Sequence, residues 1–265
     1  MKLLVSVRSA EEALLAADGG ADFIDLKEPG AGALGGLAIA TIRAIVAALR
    51  EHGSSLPVSA TIGDVPMSEL ARIMACVDAV SASGVDHVKV GIERVPQALA
   101  VLDALEALQA TGRSVIPVFL ADRGLAWAHV EHACAAGFPG LMIDTADKHA
   151  GSLFDVMSMA ELQRFITSVR SVRAARAANA AGTAMVGLAG ALRMTHEPLL
   201  RALAPDFAGF RTAVCEGDRS AALDPLRLLA LCRLMRGDAV GNDDPLHATS
   251  GGRARPEPPA CANRL

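Results

Sequence analysis

The chain has 265 residues, a formal net charge of −4 and 52% hydrophobic residues, with 20% charged. These values indicate a large buried core, and a net negative charge argues against a nucleic-acid surface, which needs a clustered basic face. No apolar run reaches the roughly 18 residues of a membrane span, and acidic residues follow the short apolar start too soon for a signal peptide.

Short apolar strands alternate with amphipathic helices eight times along the chain. We predict strands at residues 2–7, 23–27, 57–63, 87–91, 114–121, 140–146, 183–190 and 207–215. Ser9 and Ser158, each followed by glutamate three residues later, predict helix N-caps. Eight consecutive βα units predict a parallel sheet and suit a closed (βα)8 TIM barrel. An open doubly wound sheet is the alternative, although no GxGxxG motif follows the first strand.

The composition changes near the end of the chain. After Arg236 the sequence is rich in Gly, Pro and Asp and has no hydrophobic periodicity. Such segments cannot bury enough apolar surface to fold. We therefore predict a single barrel domain at residues 1–236 and a disordered tail at residues 237–265.

Polar side chains recur near the carboxyl ends of the predicted strands. In the second strand, Asp25 and Lys27 alternate with aliphatic residues and are expected to point into the barrel. The fourth strand repeats this arrangement with His87 and Lys89, and the sixth directs Asp144 inward. Active sites of barrels lie at this end. For Asp25 and Lys27 an internal ion pair remains the alternative, and His87 fits a hydrogen-bonded core residue.

Lysine is rare in this chain. Only four of the 25 basic residues are lysines, and Lys27, Lys89 and Lys148 lie at or after predicted strand ends. Unlike arginine, a lysine can lose its proton and form a Schiff base with a carbonyl. Burial or a second cation nearby lowers its pKa from about 10.4. The carboxylates expected to move protons there are Asp25, Asp64 and Asp144.

The loops after the seventh and eighth strands form the usual phosphate site of a barrel, through backbone N–H groups. Glycines there permit close backbone approach, although one glycine alone often only makes a turn. The candidate substrate- and phosphate-binding residues are Gly190, Ala191, Arg211, Gly217, Thr61 and Asp64. For a second phosphate, the sequence suggests Arg8 or Lys148.

Several motifs together resemble one known family. They are "GGADFIDLKEP", "VSATIGDVP", "DHVKVG", "LMIDTADK", "GLAGALR" and "FRTAVCEGDR", in this order. The chain resembles the (5-formylfuran-3-yl)methyl phosphate synthases, or 4-HFC-P synthases, of methanofuran biosynthesis. The resemblance covers roughly residues 1–235.

This resemblance implies a TIM-barrel enzyme that condenses two molecules of glyceraldehyde 3-phosphate into a phosphorylated furan aldehyde, releasing phosphate and water. It implies no metal and no organic cofactor. By motif, Lys27 is similar to the Schiff-base lysine and Lys89 to the proton-transferring lysine. Asp144 and Lys148 are similar to a further acid–base pair.

Other readings of the same residues remain open. A sugar-phosphate isomerase or epimerase, another class I aldolase-like barrel enzyme, or a non-catalytic phosphosugar-binding protein would also use a polar barrel mouth. The expected partners are small triose phosphates, with no nucleic acid and no membrane. An Ala-rich helical exterior is compatible with a homo-oligomer. Five widely spaced cysteines predict free thiols and a cytoplasmic location.

Overall fold

A computed structural model describes residues 1–32, 34–147, 151–177 and 184–237. Eight parallel strands are hydrogen-bonded in chain order, and the last pairs with the first to close the barrel. This confirms the TIM barrel and excludes the open doubly wound sheet. The strands are β1 Lys2–Val7, β2 Phe23–Leu26, β3 Val58–Thr61, β4 His87–Ile92, β5 Val115–Leu120, β6 Gly140–Asp144, β7 Met185–Leu188 and β8 Phe207–Phe210.

Helices follow the strands and cover the outside of the barrel. They are α1 Ala10–Asp18, α2 Ile39–Glu51, α3 Leu70–Ser81, α4 Ala98–Gln109, α5 Trp127–Ala136, α6 Leu153–Val156, α7 Met159–Ala177, α8 Glu197–Leu203 and α9 Pro225–Arg236. Short 3₁₀ helices occur at Ala121–Arg123, Met194–His196 and Thr212–Val214. Among the described residues, no helix combines the length and apolarity needed to cross a bilayer.

Both predicted N-caps are present. The Glu12 backbone N–H donates to Ser9 Oγ at 3.2 Å, which begins α1. Ser158 and Glu161 form a reciprocal capping box, with bonds of 3.0 and 3.3 Å, at the start of α7. These caps satisfy backbone donors that a helix start leaves without partners. The Glu12 carboxylate does not bond the Ser9 backbone N–H as in a full capping box. It accepts the backbone N–H of Arg8 at 3.0 Å and also bonds Arg211 in the loop after β8.

The strands present two different faces, as the alternation predicted. Ile24 and Leu26 are fully buried between the barrel and its helices. A separate apolar cluster lies in the interior, where the rings of Phe23 and Phe207 are tilted by 55° with 5.5 Å between their centroids. Both phenylalanines lie near the amino ends of their strands, below the polar side chains. The site therefore lies above them, toward the carboxyl ends of the strands.

The last strand is shorter than predicted. It ends at Phe210, whereas the sequence suggested an extension to Cys215. The N–H groups of Val214 and Cys215 donate to the carbonyls of Arg211 and Thr212, which turns the chain into a 3₁₀ helix. The predicted tail lies outside the described residues apart from Gly237.

Candidate active site

A cavity opens at the carboxyl end of the barrel and contains both interior lysines. It encloses about 630 Å³, counting the space that opens to solvent. Its polar lining residues are Ser6, Asp25, Lys27, Thr61, Lys89, Asp144, Arg211, Thr212 and Arg219. The structure thus brings the side chains of Lys27, Lys89, Asp25 and Asp144 together.

Lys27 lies directly after β2 and is 6% exposed. Its Nζ is 3.1 Å from Oδ2 of Asp144, the last residue of β6. The other oxygen of Asp144 accepts the backbone N–H of Thr145 at 2.8 Å. This bond fixes the carboxylate so that it faces Lys27 from across the barrel.

Lys89, in β4, forms the second amine–carboxylate pair. Its Nζ donates to Asp25 Oδ1 at 2.7 Å, and the residues are 2% and 3% exposed. Ser59 donates to the same oxygen at 2.7 Å, and Ser6 donates to Oδ2 at 3.1 Å. The strand register explains this, since Ser6, Asp25 and Ser59 are opposite one another on β1, β2 and β3.

The charges around the two amines differ from the sequence-based expectation. A second cation nearby was suggested as one activating influence on a rim lysine, but each amine instead faces a carboxylate within hydrogen-bond distance. Each amine therefore has a carboxylate oxygen within reach that could accept its proton.

A glycine-rich loop between β2 and α2 closes one side of the cavity. Thr61 Oγ1 donates to the carbonyl of Gly35 at 3.0 Å, and Asp64 accepts the backbone N–H of Leu34 at 3.1 Å. Leu34 is 3% exposed and packs with the interior apolar cluster. Asp64 lines a neighbouring cavity and not the one that holds the lysines. The structure therefore places Asp64 as a support of this loop.

The β7 loop supplies part of the cavity wall. Gly190 has a φ of 114°, and Ala191 has a φ of 45°. No acceptor is found for the backbone N–H groups of these two residues within the described parts of the chain. Gly217 is not among the residues that line this cavity, and its N–H donates to the Cys215 carbonyl at 3.0 Å.

The guanidinium of Arg211 is fully engaged with the protein. Its Nη1 and Nη2 donate to the Glu12 carboxylate at 2.5 and 3.0 Å. The remaining donors reach the carbonyls of Ser6, Arg219 and Ala221. All five N–H groups of the side chain are thus committed. Arg211 thus connects β1 and α1 to the loop that follows β8.

The remaining candidates have different surroundings. Arg8 is near Glu12, with 3.7 Å between Nε and Oε1, and is not among the residues that line the cavity. Lys148 lies outside the described residues. His87 Nδ1 is 2.7 Å from Ser114 Oγ, below the amines, and burial lowers the pKa of His87.

Sequence reasoning missed four residues that shape the site: Ser6, Glu12, Ser59 and Arg219. The bond of Ser59 to Asp25 depends on the register between strands, which a single strand does not show. Glu12 was read only as part of a cap motif. Arg219 follows the last strand and is the final residue of the motif "FRTAVCEGDR". That motif was the signal that could have found it, although arginine is the usual cation of this chain.

The closed barrel and this site define the class of protein: a TIM-barrel protein with two buried amine–carboxylate pairs at the carboxyl-end mouth. Residues 3–232 match the family model described as 4-HFC-P synthase. The chain therefore belongs to the 4-HFC-P synthase family.

Curated relatives agree with this membership. A Methylorubrum extorquens protein, provisionally named (5-formylfuran-3-yl)methyl phosphate synthase, is 39% identical and covers 89% of this chain and 92% of its own length. The (5-formylfuran-3-yl)methyl phosphate synthase of Archaeoglobus fulgidus is 32% identical over 89% of this chain and 100% of its own.

Solved structures agree with the fold. Phosphoribosyl anthranilate isomerase from Thermus thermophilus superimposes with a TM-score of 0.58 at 18% identity, covering 89% of this chain and 99% of its own. Thiamine phosphate pyrophosphorylase from Pyrococcus furiosus also gives 0.58, at 14% identity, covering 89% and 96%. At these identities the likeness concerns the barrel alone.

Proposed function

We propose that this protein condenses two molecules of glyceraldehyde 3-phosphate into (5-formylfuran-3-yl)methyl phosphate through a Schiff base on Lys27. Membership of the 4-HFC-P synthase family supports the product. The observation that carries the chemistry is the pair of buried ion pairs, Lys27–Asp144 and Lys89–Asp25, in one cavity. One pair supplies a nucleophilic amine and the other a proton-transfer group.

The first half of the reaction uses both pairs. Lys27 passes its proton to Asp144 and attacks the carbonyl of one triose phosphate. Loss of water gives the imine. Lys89, after passing its proton to Asp25, removes the proton on the adjacent carbon and leaves an enamine. The two serines bound to Asp25 hold that carboxylate in place for the transfer.

In the second half, the enamine expels the phosphate of the first triose and becomes an unsaturated imine. The second triose phosphate, deprotonated at the carbon next to its aldehyde, attacks the terminal carbon of this imine and forms the new C–C bond. The oxygen on the middle carbon of the first triose then closes the ring on the aldehyde of the second, loss of two waters gives the furan, and hydrolysis of the imine forms the formyl group and frees Lys27. Aromatic stabilisation of the furan makes the sequence effectively irreversible. Asp144 returns protons during these steps, with Lys148 as its further partner by family resemblance.

One substrate phosphate lies at the β7 loop in this proposal. The N–H groups of Gly190 and Ala191, which border the cavity, are suited to phosphate oxygens. The reaction would serve the synthesis of a methanofuran-type cofactor. The four cysteines within the described residues are free thiols, which is in keeping with a cytoplasmic enzyme.

The test is to trap the imine. The protein is incubated with glyceraldehyde 3-phosphate and borohydride, and the reduced adduct is located by intact-mass and peptide mass spectrometry. We expect the adduct on Lys27 in the wild type and none in Lys27→Arg, because a guanidinium cannot form an imine. Lys2→Arg is the matched control, since Lys2 is exposed at the start of β1.

Two results would contradict the proposal in different ways. If the wild type forms the furan but no reduced adduct on Lys27, then Lys27 acts only through its charge and not as the Schiff-base nucleophile. Neither adduct nor furan from the wild type would favour an isomerase or a phosphosugar-binding protein.

A further inference from the structure

Arg219 is a cation of the cavity that the mechanism leaves unused. It lies in the loop between β8 and α9, is half-buried and borders the same space as Lys27 and Lys89. No hydrogen bond or ion pair of its guanidinium is found within the described residues. The other cations that line the cavity are engaged, since both lysines are in ion pairs and Arg211 uses all of its donors.

The loop that carries Arg219 is held from both sides. Arg211 Nε donates to the carbonyl of Arg219 at 2.9 Å, and Arg211 Nη2 donates to that of Ala221 at 2.7 Å. Asp218 Oδ1 accepts the Ser220 hydroxyl at 2.6 Å. Because Glu12 in turn fixes Arg211, the position of Arg219 is set by the scaffold.

An arginine in this position is costly without a ligand. Burial lowers the pKa of Arg219, which reflects the penalty on its charge, while Asp144 and Asp64 act in the opposite direction. A guanidinium taken out of water loses hydrogen bonds that the protein does not replace here. An anion bound at the cavity mouth would restore them, and a phosphate matches the fork of N–H donors best.

We propose that Arg219 binds the phosphate of one triose phosphate and forms a second anion subsite, separate from the backbone N–H groups of Gly190 and Ala191. This inference rests on the proposed function, because two phosphorylated substrates require two such subsites. The product retains a single phosphate, so one of the subsites also releases inorganic phosphate. Inorganic phosphate is therefore a suitable probe for binding.

The experiment compares Arg219→Gln with Arg43→Gln, a matched loss of charge on the exposed face of α2. Binding of inorganic phosphate is measured by titration calorimetry, and initial rates are measured against glyceraldehyde 3-phosphate. We expect Arg219→Gln to bind phosphate about 10- to 100-fold more weakly than the control and to need a higher substrate concentration for half-saturation. Arg219→Lys should recover part of the affinity, since it keeps the charge without the fork.

Thermal unfolding separates a ligand-binding role from a structural one. Removing a half-buried cation that has no protein partner should leave the Tm of Arg219→Gln equal to or above that of Arg43→Gln. A markedly lower Tm would mean that Arg219 stabilises the fold, and the inference would be withdrawn. Equal phosphate affinity in the two variants would also overturn it.

The outcome is distinguishable from that of the proposed function. If the wild type forms neither imine nor furan but Arg219→Gln alone loses phosphate affinity, the anion subsite stands and the reaction does not. If the wild type forms both and Arg219→Gln matches the control in affinity and rate, the reaction stands and the subsite does not.

Discussion

At the scale of single residues, Asp25 connects its own strand, β2, to β1, β3 and β4. It accepts hydrogen bonds from Lys89, Ser59 and Ser6, and all of these residues are buried. Desolvation makes such a pair costly to form, so its net contribution to stability is small, but breaking it leaves an unpaired buried charge. The ion pair with Lys89 therefore makes the loss of the Asp25 charge destabilising.

Replacing Asp25 with asparagine should cost about 3–5 kcal/mol of unfolding free energy, because Lys89 loses its ionised partner. Ser59→Ala, which removes a single hydrogen bond to Asp25, should cost about 1 kcal/mol. Urea unfolding of both variants checks the difference. A cost for Asp25→Asn no larger than that for Ser59→Ala would show that Lys89 does not depend on the carboxylate.

His87 gives a prediction for pH dependence. Burial lowers its pKa from 6.5 in the folded protein. Below about pH 6.5 His87 therefore binds a proton in the unfolded chain but stays neutral in the folded protein. The free energy of unfolding consequently falls as the pH is lowered. The slope from one such group is at most about 1.4 kcal/mol per pH unit.

The variant His87→Gln should remove this part of the pH dependence and retain a polar group near Ser114. Unfolding by urea at several values between pH 5 and 7 measures the effect. Parallel curves for wild type and variant would mean that His87 is not the group responsible.

At the scale of elements, the β7 and β8 loops show how the backbone limits side chains. A Cβ atom at Gly190 would lie 2.8 Å from Thr145 Cγ2 and 3.2 Å from the Thr145 backbone nitrogen. Its φ of 114° also disfavours other residues. The β7 loop thus packs directly on the residue that orients Asp144 toward Lys27.

Gly190→Ala should therefore destabilise the protein by about 1–3 kcal/mol and reduce activity, since Asp144 would shift with Thr145. Gly53→Ala is the control, because Gly53 also has a positive φ, 82°, but has no atom within 4 Å of an added Cβ. Thermal unfolding and furan formation are the measurements. If Gly190→Ala and Gly53→Ala lose the same amount of stability and the same fraction of activity, backbone strain alone would explain the effect at Gly190.

At the scale of the whole molecule, the chain is closed by contacts between its beginning and its last described helix. Strand β8 pairs with β1, and Cys232 and Arg236 of α9 donate to the carbonyls of Gly19 and Gly20. Helix α9 also buries Leu228, Leu231 and Met235. Its last cap residue is Gly237, with a φ of 77°.

A chain that ends at Gly237 should fold and unfold like the full-length protein, with a Tm within about 2 °C. A chain that ends at Asp224 lacks α9 and should not unfold cooperatively, because the apolar surface under that helix is exposed. Calorimetry of the two truncations tests the domain boundary. A much lower Tm for the chain that ends at Gly237 than for the full-length protein would show that residues 238–265 have a structural role.

Much of this protein could be predicted from local sequence. Alternation of aliphatic and polar residues placed Asp25, Lys27 and Lys89 inside the barrel, since successive side chains on a strand must face opposite ways. Eight repeats of strand and helix indicated the barrel, and the rarity of lysine drew attention to Lys27, Lys89 and Lys148. The fold and the inward direction of Lys27 and Lys89 are confirmed, because both depend on periodicity within short stretches. The catalytic roles of the lysines stay predictions.

Partnerships across the barrel could not be predicted in this way. The sequence determined which residues face inward, but only the closed barrel decided that Lys27 faces Asp144, 117 positions away, and that Lys89 faces Asp25. It also decided that Arg211 is held by Glu12 while Arg219 reaches the cavity. The physical reason is that hydrogen bonds and ion pairs depend on distances of about 3 Å, which register and barrel closure set.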